Sequence, residues 1–204
     1  GIVTDLGDLL EVDSFSNFTP KSGNPLDVDS RYPKILRAAY ESLIYGVQKA
    51  LAKHELVYFY NIEGNHDISS GIAIREIIRM VFKDEPRVIV DDSPTSIKYH
   101  QHGATLLGFA HGDNLKMSQA AETMAHDCRA IWSETQHRFF HFGHNHKHSV
   151  IDTKLCKCES HRNLAPLNDW AYSNGYRRGI GTMSSITYSS VTGEKSRQLY
   201  SVAV

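Results

Sequence analysis

Four short runs pair a glycine with side chains able to hold a divalent metal: Gly7-Asp8, Gly64-Asn65-His66-Asp67, His111-Gly112-Asp113 and Gly143-His144-Asn145-His146. Carboxylate, amide oxygen and imidazole together suit hard and borderline cations such as Mn, Fe or Zn, and the lack of thiolates in these runs argues against a purely structural zinc site. Glycine lets the chain turn sharply so that its neighbour points into a cleft, and α/β folds place active sites at the carboxyl ends of strands. His144 and His146 lie two apart; on a regular strand they share a face, and on a turn they could approach neighbouring metals. Two metals roughly 3.5–4 Å apart activate water and clamp the attacking and leaving oxygens of a phosphoryl displacement. The chemistry these residues point to is hydrolysis of a phosphate ester.

The elements that must position them can be read from periodicity. Ile2–Leu6 is a short apolar strand running into Gly7-Asp8, and Ser14–Asp29 has the Ser, Asn, Pro and Gly content of a loop. Leu36, Ala39, Leu43, Val47 and Leu51 recur three or four apart, giving one amphipathic helix over Tyr32–Lys53. Glu55–Ile62 is β-branched and aromatic, as a central strand is, and leads to Gly64. Gly71–Lys83 reads as helix, Arg87–Val90 as a short strand, and Ser96–His100 with Ala104–Ala110 as a hairpin. Leu115–Glu134 reads as a second long helix, Arg138–Phe142 as a strand, and Met183–Ser189 with Arg197–Val204 as a closing hairpin whose turn contains Gly193. Strands separated by helices predict an α/β fold, and the hairpins make its sheets mixed. Cys156–Gly181 is the longest stretch without a period, and loops of that length are usually functional or disordered.

Taken in order, the runs resemble the calcineurin-like metallophosphoesterase family, whose signature is Asp-x-His, Gly-Asp, Gly-Asn-His-Asp/Glu, a lone His and Gly-His-x-His. All but the first are present, from Gly7 to His146, about two-thirds of the chain. The resemblance implies a four-layer α/β/β/α sandwich with two mixed sheets, formed by residues 1–204 as one domain and lacking the first strand. It casts Asp8 as the carboxylate bridging two metals, Asn65, His111 and His144 as the other ligands of one site, and His146 as a ligand of the second. His66 resembles the catalytic histidine, and Asp67 is expected to orient its imidazole. Asp-x-His occurs nowhere in the sequence, so the second site keeps only Asp8 and His146. Two explanations stand: an N-terminally truncated enzyme, favoured by the missing initiator Met, or a true half site. Glu11 or Asp13 could also supply a substitute carboxylate. The cofactors implied are divalent ions, Mn foremost, with Fe, Zn or Mg as alternatives; two belong to the complete enzyme and one to a half site.

The stretch Gly7–Asp29, with Glu63–Asp67 and the Arg162, Trp170 and Tyr176 region, is similar to phage and prophage phosphoesterases that resemble DNA-repair exonucleases. The expected activity is therefore a phosphodiesterase or DNA exonuclease, with DNA and a second copy of the chain, in a homodimer, as candidate partners, though no dimer surface can be read from the sequence. A catalytically silent metal- or nucleic-acid-binding module, and a phosphomonoesterase or protein phosphatase, are the alternatives.

Composition bounds this reading. The chain of 204 residues can bury one substantial core. With 22 Lys+Arg against 23 Asp+Glu it has no overall field to recruit nucleic acid or anionic membrane, yet residues 1–135 hold 13 basic and 19 acidic side chains while residues 136–204 hold 9 and 4. Arg162 in that basic third is a candidate phosphate binder through its forked guanidinium, as are Arg177 and Arg178 with less to favour them. Three cysteines make no disulfide framework, and no basic segment precedes an apolar run at the start, so a cytoplasmic, reducing location without membrane contact is expected. Cys156-Lys157-Cys158-Glu159-Ser160-His161 invites a zinc reading, but the cysteines are spaced wrongly for a finger, and adjacent strand residues explain the run better. His137, His141 and His148 read as partners of ligands or surface residues, and the loop aromatics Phe15, Phe18, Trp170, Tyr172 and Tyr176 read as loop anchors rather than base-stacking platforms.

Overall fold

The computed structural model describes residues 1–19, 23, 25–26, 31–165, 172–173, 175 and 181–202. The chain divides into two compact units, Gly1–Ser96 and Ile97–Val204. The fold class is α/β with two main sheets, as the alternation of strands and helices predicts.

The first unit is built from two βαβ passages. Strand β1 (Ile2–Asp5) leads to helix α1 (Tyr32–Leu51), then to β2 (Val57–Asn61), helix α2 (Ile68–Val81) and β3 (Val88–Val90). The sheet order is β1-β2-β3 and both pairings are parallel, with Ile2 opposite Tyr58 and Val57 opposite Val88. Parallel strands require crossover connections, which the two helices supply. Pro33 sits in the first turn of α1, where its missing N–H costs no helix bond. The predicted stripe is the one buried: Ala39 and Val47 pack with Ile74 and Ile78 of α2 and with Val57 and Phe59 of β2. Ile78 is fully buried, so Ile78→Val is expected to lower the free energy of unfolding by about 0.5–1.5 kcal/mol, read from the urea midpoint. Ile72→Val, at a position 41% exposed, should leave stability within about 0.5 kcal/mol.

The second unit holds a five-stranded mixed sheet in the order β4-β5-β6-β8-β7. Strands β4 (Ile97–His102) and β5 (Thr105–Ala110) form the predicted hairpin. β6 (His137–Phe142) and β8 (Lys157–Ser160) extend it in parallel, and β7 (Ser149–Asp152) closes the edge antiparallel to β8. One face carries the apolar core, with Phe140, Phe142, Cys156 and Cys158 packed on Ala120, Met124 and Cys128. The opposite face mixes apolar Leu107, Phe109 and Phe139 with His141 and Glu159, and it is met by the hairpin of β9 (Gly181–Ser189) and β10 (Gly193–Val202) through Tyr188, Glu194 and Arg197.

Two expectations change. The long helix predicted over Leu115–Glu134 is a 3-10 turn at Met117–Gln119 followed by α3 (Ala120–Asp127) and α4 (Arg129–Trp132). Cys128 breaks it with ψ 31°, ending α3 and opening α4 while its side chain is held in the core. Strand β8 agrees with reading Cys156–His161 as adjacent strand residues, while β7 lies in a segment to which the sequence assigned no element; four residues are too few to show a period. Among the described residues no helix is long and apolar enough to cross a membrane.

Candidate functional site

Each of the four glycine-bearing runs begins within three residues of the end of a strand with a parallel neighbour: Gly7-Asp8 after β1, Gly64–Asp67 after β2, His111–Asp113 after β5 and Gly143–His146 after β6. The local backbone is strained at these runs. Among the described residues, the non-glycine positions with positive φ are Asp8 at 56°, His144 at 60° and His146 at 51°. Asp and His tolerate the left-handed region better than most residues, but it still carries a penalty that concentrates at functional sites.

In the first unit Asp8 is held by two hydrogen bonds. Its Oδ1 accepts the backbone N–H of His66 at 2.8 Å, and its own N–H is donated to Oδ1 of Asp67 at 3.2 Å. Gly64 makes the approach feasible, because a Cβ there would lie 2.2 Å from both the backbone N and Oδ1 of Asp8. Just upstream, Asp5 accepts the Gly7 N–H and the Asn61 side-chain amide at 3.1 and 2.9 Å, which shapes the turn.

Asp67 does a different task from the one expected. Its buried carboxylate accepts the N–H groups of Asp8 and of Leu10, the latter at 3.1 Å, and so holds the Asp8 loop. Burial pushes this carboxyl up, the Leu10 N–H pulls it back and the charge of Asp8 pushes it further, so the net position is above the ordinary carboxylate range. The group beside the His66 ring is the Glu11 carbonyl, 3.4 Å from Nδ1. His66 and Asn65 are partly exposed.

Asp13, considered as a substitute ligand, is taken up by α2. Its carboxylate accepts the N–H groups of Ser69 and Ser70 at 2.9 and 2.7 Å and the Ser70 hydroxyl at 2.6 Å. Asp67, the N-cap residue, makes no side-chain cap bond, so Asp13 reaches in to satisfy the orphan donors and complement the helix dipole. Burial raises the Asp13 carboxyl, but the Ser70 hydroxyl and the two N–H groups outweigh it and hold the group below its ordinary value. A depressed folded-state pKa contributes stability that is present above the unfolded value and lost as pH falls through the folded one. Asp13→Ala is therefore expected to cost about 1 kcal/mol at neutral pH, with the difference from wild type shrinking as pH falls below the model-compound value of 3.8; urea titrations across that range measure it.

In the second unit His111, which is buried, and His144, which is exposed, bring Nε2 and Nδ1 to 3.2 Å. Their ring centroids are 4.9 Å apart at 72°. Gly112, with φ 112°, keeps the turn open where a Cβ would meet Phe142 and His144 at 3.4 and 3.6 Å. His146 is exposed two residues further on. Asp113 accepts the Asn114 side-chain amide at 2.8 Å. Arg162 follows β8 by two residues and is partly exposed, while Trp170, Tyr176, Arg177 and Arg178 lie outside the described residues. The Cys156 and Cys158 thiols are buried in the core 3.9 Å apart, so they take no part in a surface zinc site.

Sequence reasoning named candidate ligands but not the residues that hold them in place. Asp13 and the Glu11 carbonyl act on residues 56 and 55 positions away, and no local spacing signals such contacts. No protein-family model matches the sequence, and no curated protein matches it. Among solved structures, the chain is similar to a conserved uncharacterized protein from Streptococcus pneumoniae described as a predicted phosphoesterase, at 10% identity and TM-score 0.37 over 80% of this chain and 91% of that one. It is also similar to wild-type Vps29 from Entamoeba histolytica complexed with Zn2+, at 11% identity and TM-score 0.42 over 98% and 97% of the two chains.

Proposed function

We propose that this chain is a metal-dependent phosphoesterase acting on phosphodiesters, DNA foremost, with Asp8, Asn65, His111, His144 and His146 as cation ligands and His66 as the catalytic histidine. The observation that carries the reading is the coincidence of strain with ligand chemistry: Asp8, His144 and His146 are the described non-glycine residues in the left-handed region. Strain of that kind persists only where the surroundings impose it.

The donor set fits a cation. Two imidazole nitrogens facing each other at 3.2 Å, with carboxylate and amide oxygens and no thiolate, suit Mn, Fe or Zn. When bound, such a cation supplies Lewis-acid charge to phosphoryl oxygens. The residues of the chain do the rest. The Glu11 carbonyl beside Nδ1 of His66 favours a proton on that nitrogen, which turns Nε2 toward substrate; in the imidazolium, Nε2–H can protonate the leaving oxygen. Asp67 positions Asp8 through the loop backbone. Arg162 offers a planar fork to a phosphate, in the third of the sequence where 9 basic residues face 4 acidic ones.

His66→Ala tests the assignment. Loss of a positioned proton donor should lower turnover of bis-p-nitrophenyl phosphate by about 10²–10⁴-fold, with metal content unchanged by elemental analysis. Loss of metal in this variant would contradict the catalytic role, and wild-type preference for p-nitrophenyl phosphate would contradict the diester substrate.

A further inference from the structure

A second constellation lies within Ile97–Val204 and shares no residue with the proposed ligands. His141 on β6 and Glu159 on β8 are register partners, and His161 follows Glu159 by two, so all three project from the same face of the sheet, the one met by the β9–β10 hairpin. Their ligand atoms lie within 4.8 Å of one another, with Nδ1 of His141 2.8 Å from Nε2 of His161. His141 and Glu159 are buried, and His161 is partly exposed.

The outer contacts of the trio are fixed as well. Nε2 of His141 lies 2.8 Å from the Tyr188 hydroxyl. Glu159 accepts Arg197 in a fork at 2.6 and 2.9 Å and meets Nε2 of His148 at 2.8 Å. Metal-binding histidines and carboxylates need this kind of support, with the second ring nitrogen tied to an oxygen and the carboxylate hydrogen-bonded. Arg197 opposes a cation, but it also binds Glu194 at 2.6 and 3.0 Å. Glu194 in turn binds Lys157 at 3.0 Å, so the two basic and two acidic groups balance.

We propose that His141, Glu159 and His161 form a divalent-cation site of zinc type, with two imidazoles and one carboxylate as ligands and a further position open toward His161. Zinc accepts this donor set with bonds of about 2.0–2.1 Å, which at a tetrahedral angle separates two nitrogens by about 3.3 Å. A small rotation of the partly exposed His161 ring supplies the difference from the 2.8 Å observed. The competing arrangement is a hydrogen-bonded chain, Tyr188 to His141 to His161, with one ring proton between the histidines.

The full chain, loaded with Zn2+ and desalted, separates the two. His161→Gln keeps an amide beside His141 and should hold one zinc fewer per chain than wild type. The Asp8→Asn/His144→Ala double variant should keep that zinc, which distinguishes failure of this site from failure of the proposed hydrolytic centre. In wild type, side-chain 1H–15N spectra should show the His141 Nδ1 and His161 Nε2 resonances shifting together on zinc addition, with no proton left between them; this readout does not depend on a variant folding. Equal zinc content in His161→Gln and wild type, or a ring N–H that persists between the histidines at saturating Zn2+, would overturn the proposal in favour of the hydrogen-bonded chain.

Discussion

Asp8→Asn is expected to lower diester turnover by on the order of 10³-fold, because Lewis-acid stabilisation is worth several kcal/mol and each ~1.4 kcal/mol is a factor of ten in rate. The substitution is informative because so little else changes. Asn tolerates the left-handed backbone at φ 56° as well as Asp does. Its side-chain oxygen can still accept the His66 N–H that Asp8 holds at 2.8 Å. What goes is the negative charge proposed to hold the cations. Steady-state kinetics with bis-p-nitrophenyl phosphate and excess Mn2+, beside thermal unfolding, check the prediction. Unchanged turnover in a folded variant would remove Asp8 from the centre.

The largest structural effect is expected at Gly64. A Cβ there would sit 2.2 Å from the backbone N and Oδ1 of Asp8 and 2.8 Å from Oδ1 of Asp67. These atoms belong to backbone and to two carboxylates already hydrogen-bonded, so none can swing aside. Gly64→Ala should therefore cost about 3 kcal/mol, the upper end of overpacking, and displace the Asp8 loop. Gly71→Ala is the matched control: it lies inside α2, and its Cβ would come no closer than 3.7 Å to the Asn61 amide oxygen. Replacing a helical glycine under those conditions should be neutral or stabilise by up to about 1 kcal/mol. Urea denaturation of the two variants gives the contrast, and equal stabilities would contradict the packing argument.

Much of this was legible from the chain because it is encoded locally. Helix α1 announces itself through apolar residues three and four apart, and β2 through a β-branched and aromatic run ending at Gly64. The β4–β5 hairpin shows in the turn before Thr105. The ligand candidates were legible because a glycine adjoining Asp, Asn or His at a strand end is a short-range signal. What escaped depends on contacts across many residues. The capping of α2 by Asp13, the grip of Asp67 on the Asp8 loop and the register that pairs His141 with Glu159 are tertiary facts. The break at Cys128 escaped because the sequence around it stays helix-compatible, while the buried side chain answers to the core of the second unit.

The most direct test of metal-dependent diester hydrolysis is the turnover of bis-p-nitrophenyl phosphate by the wild-type chain, first stripped with chelator and then reloaded with Mn2+, with bound metal measured in the same samples. No turnover is expected in the stripped protein, with recovery in proportion to metal bound. Metal bound to saturation without turnover would contradict it and make the chain a binding module rather than an enzyme.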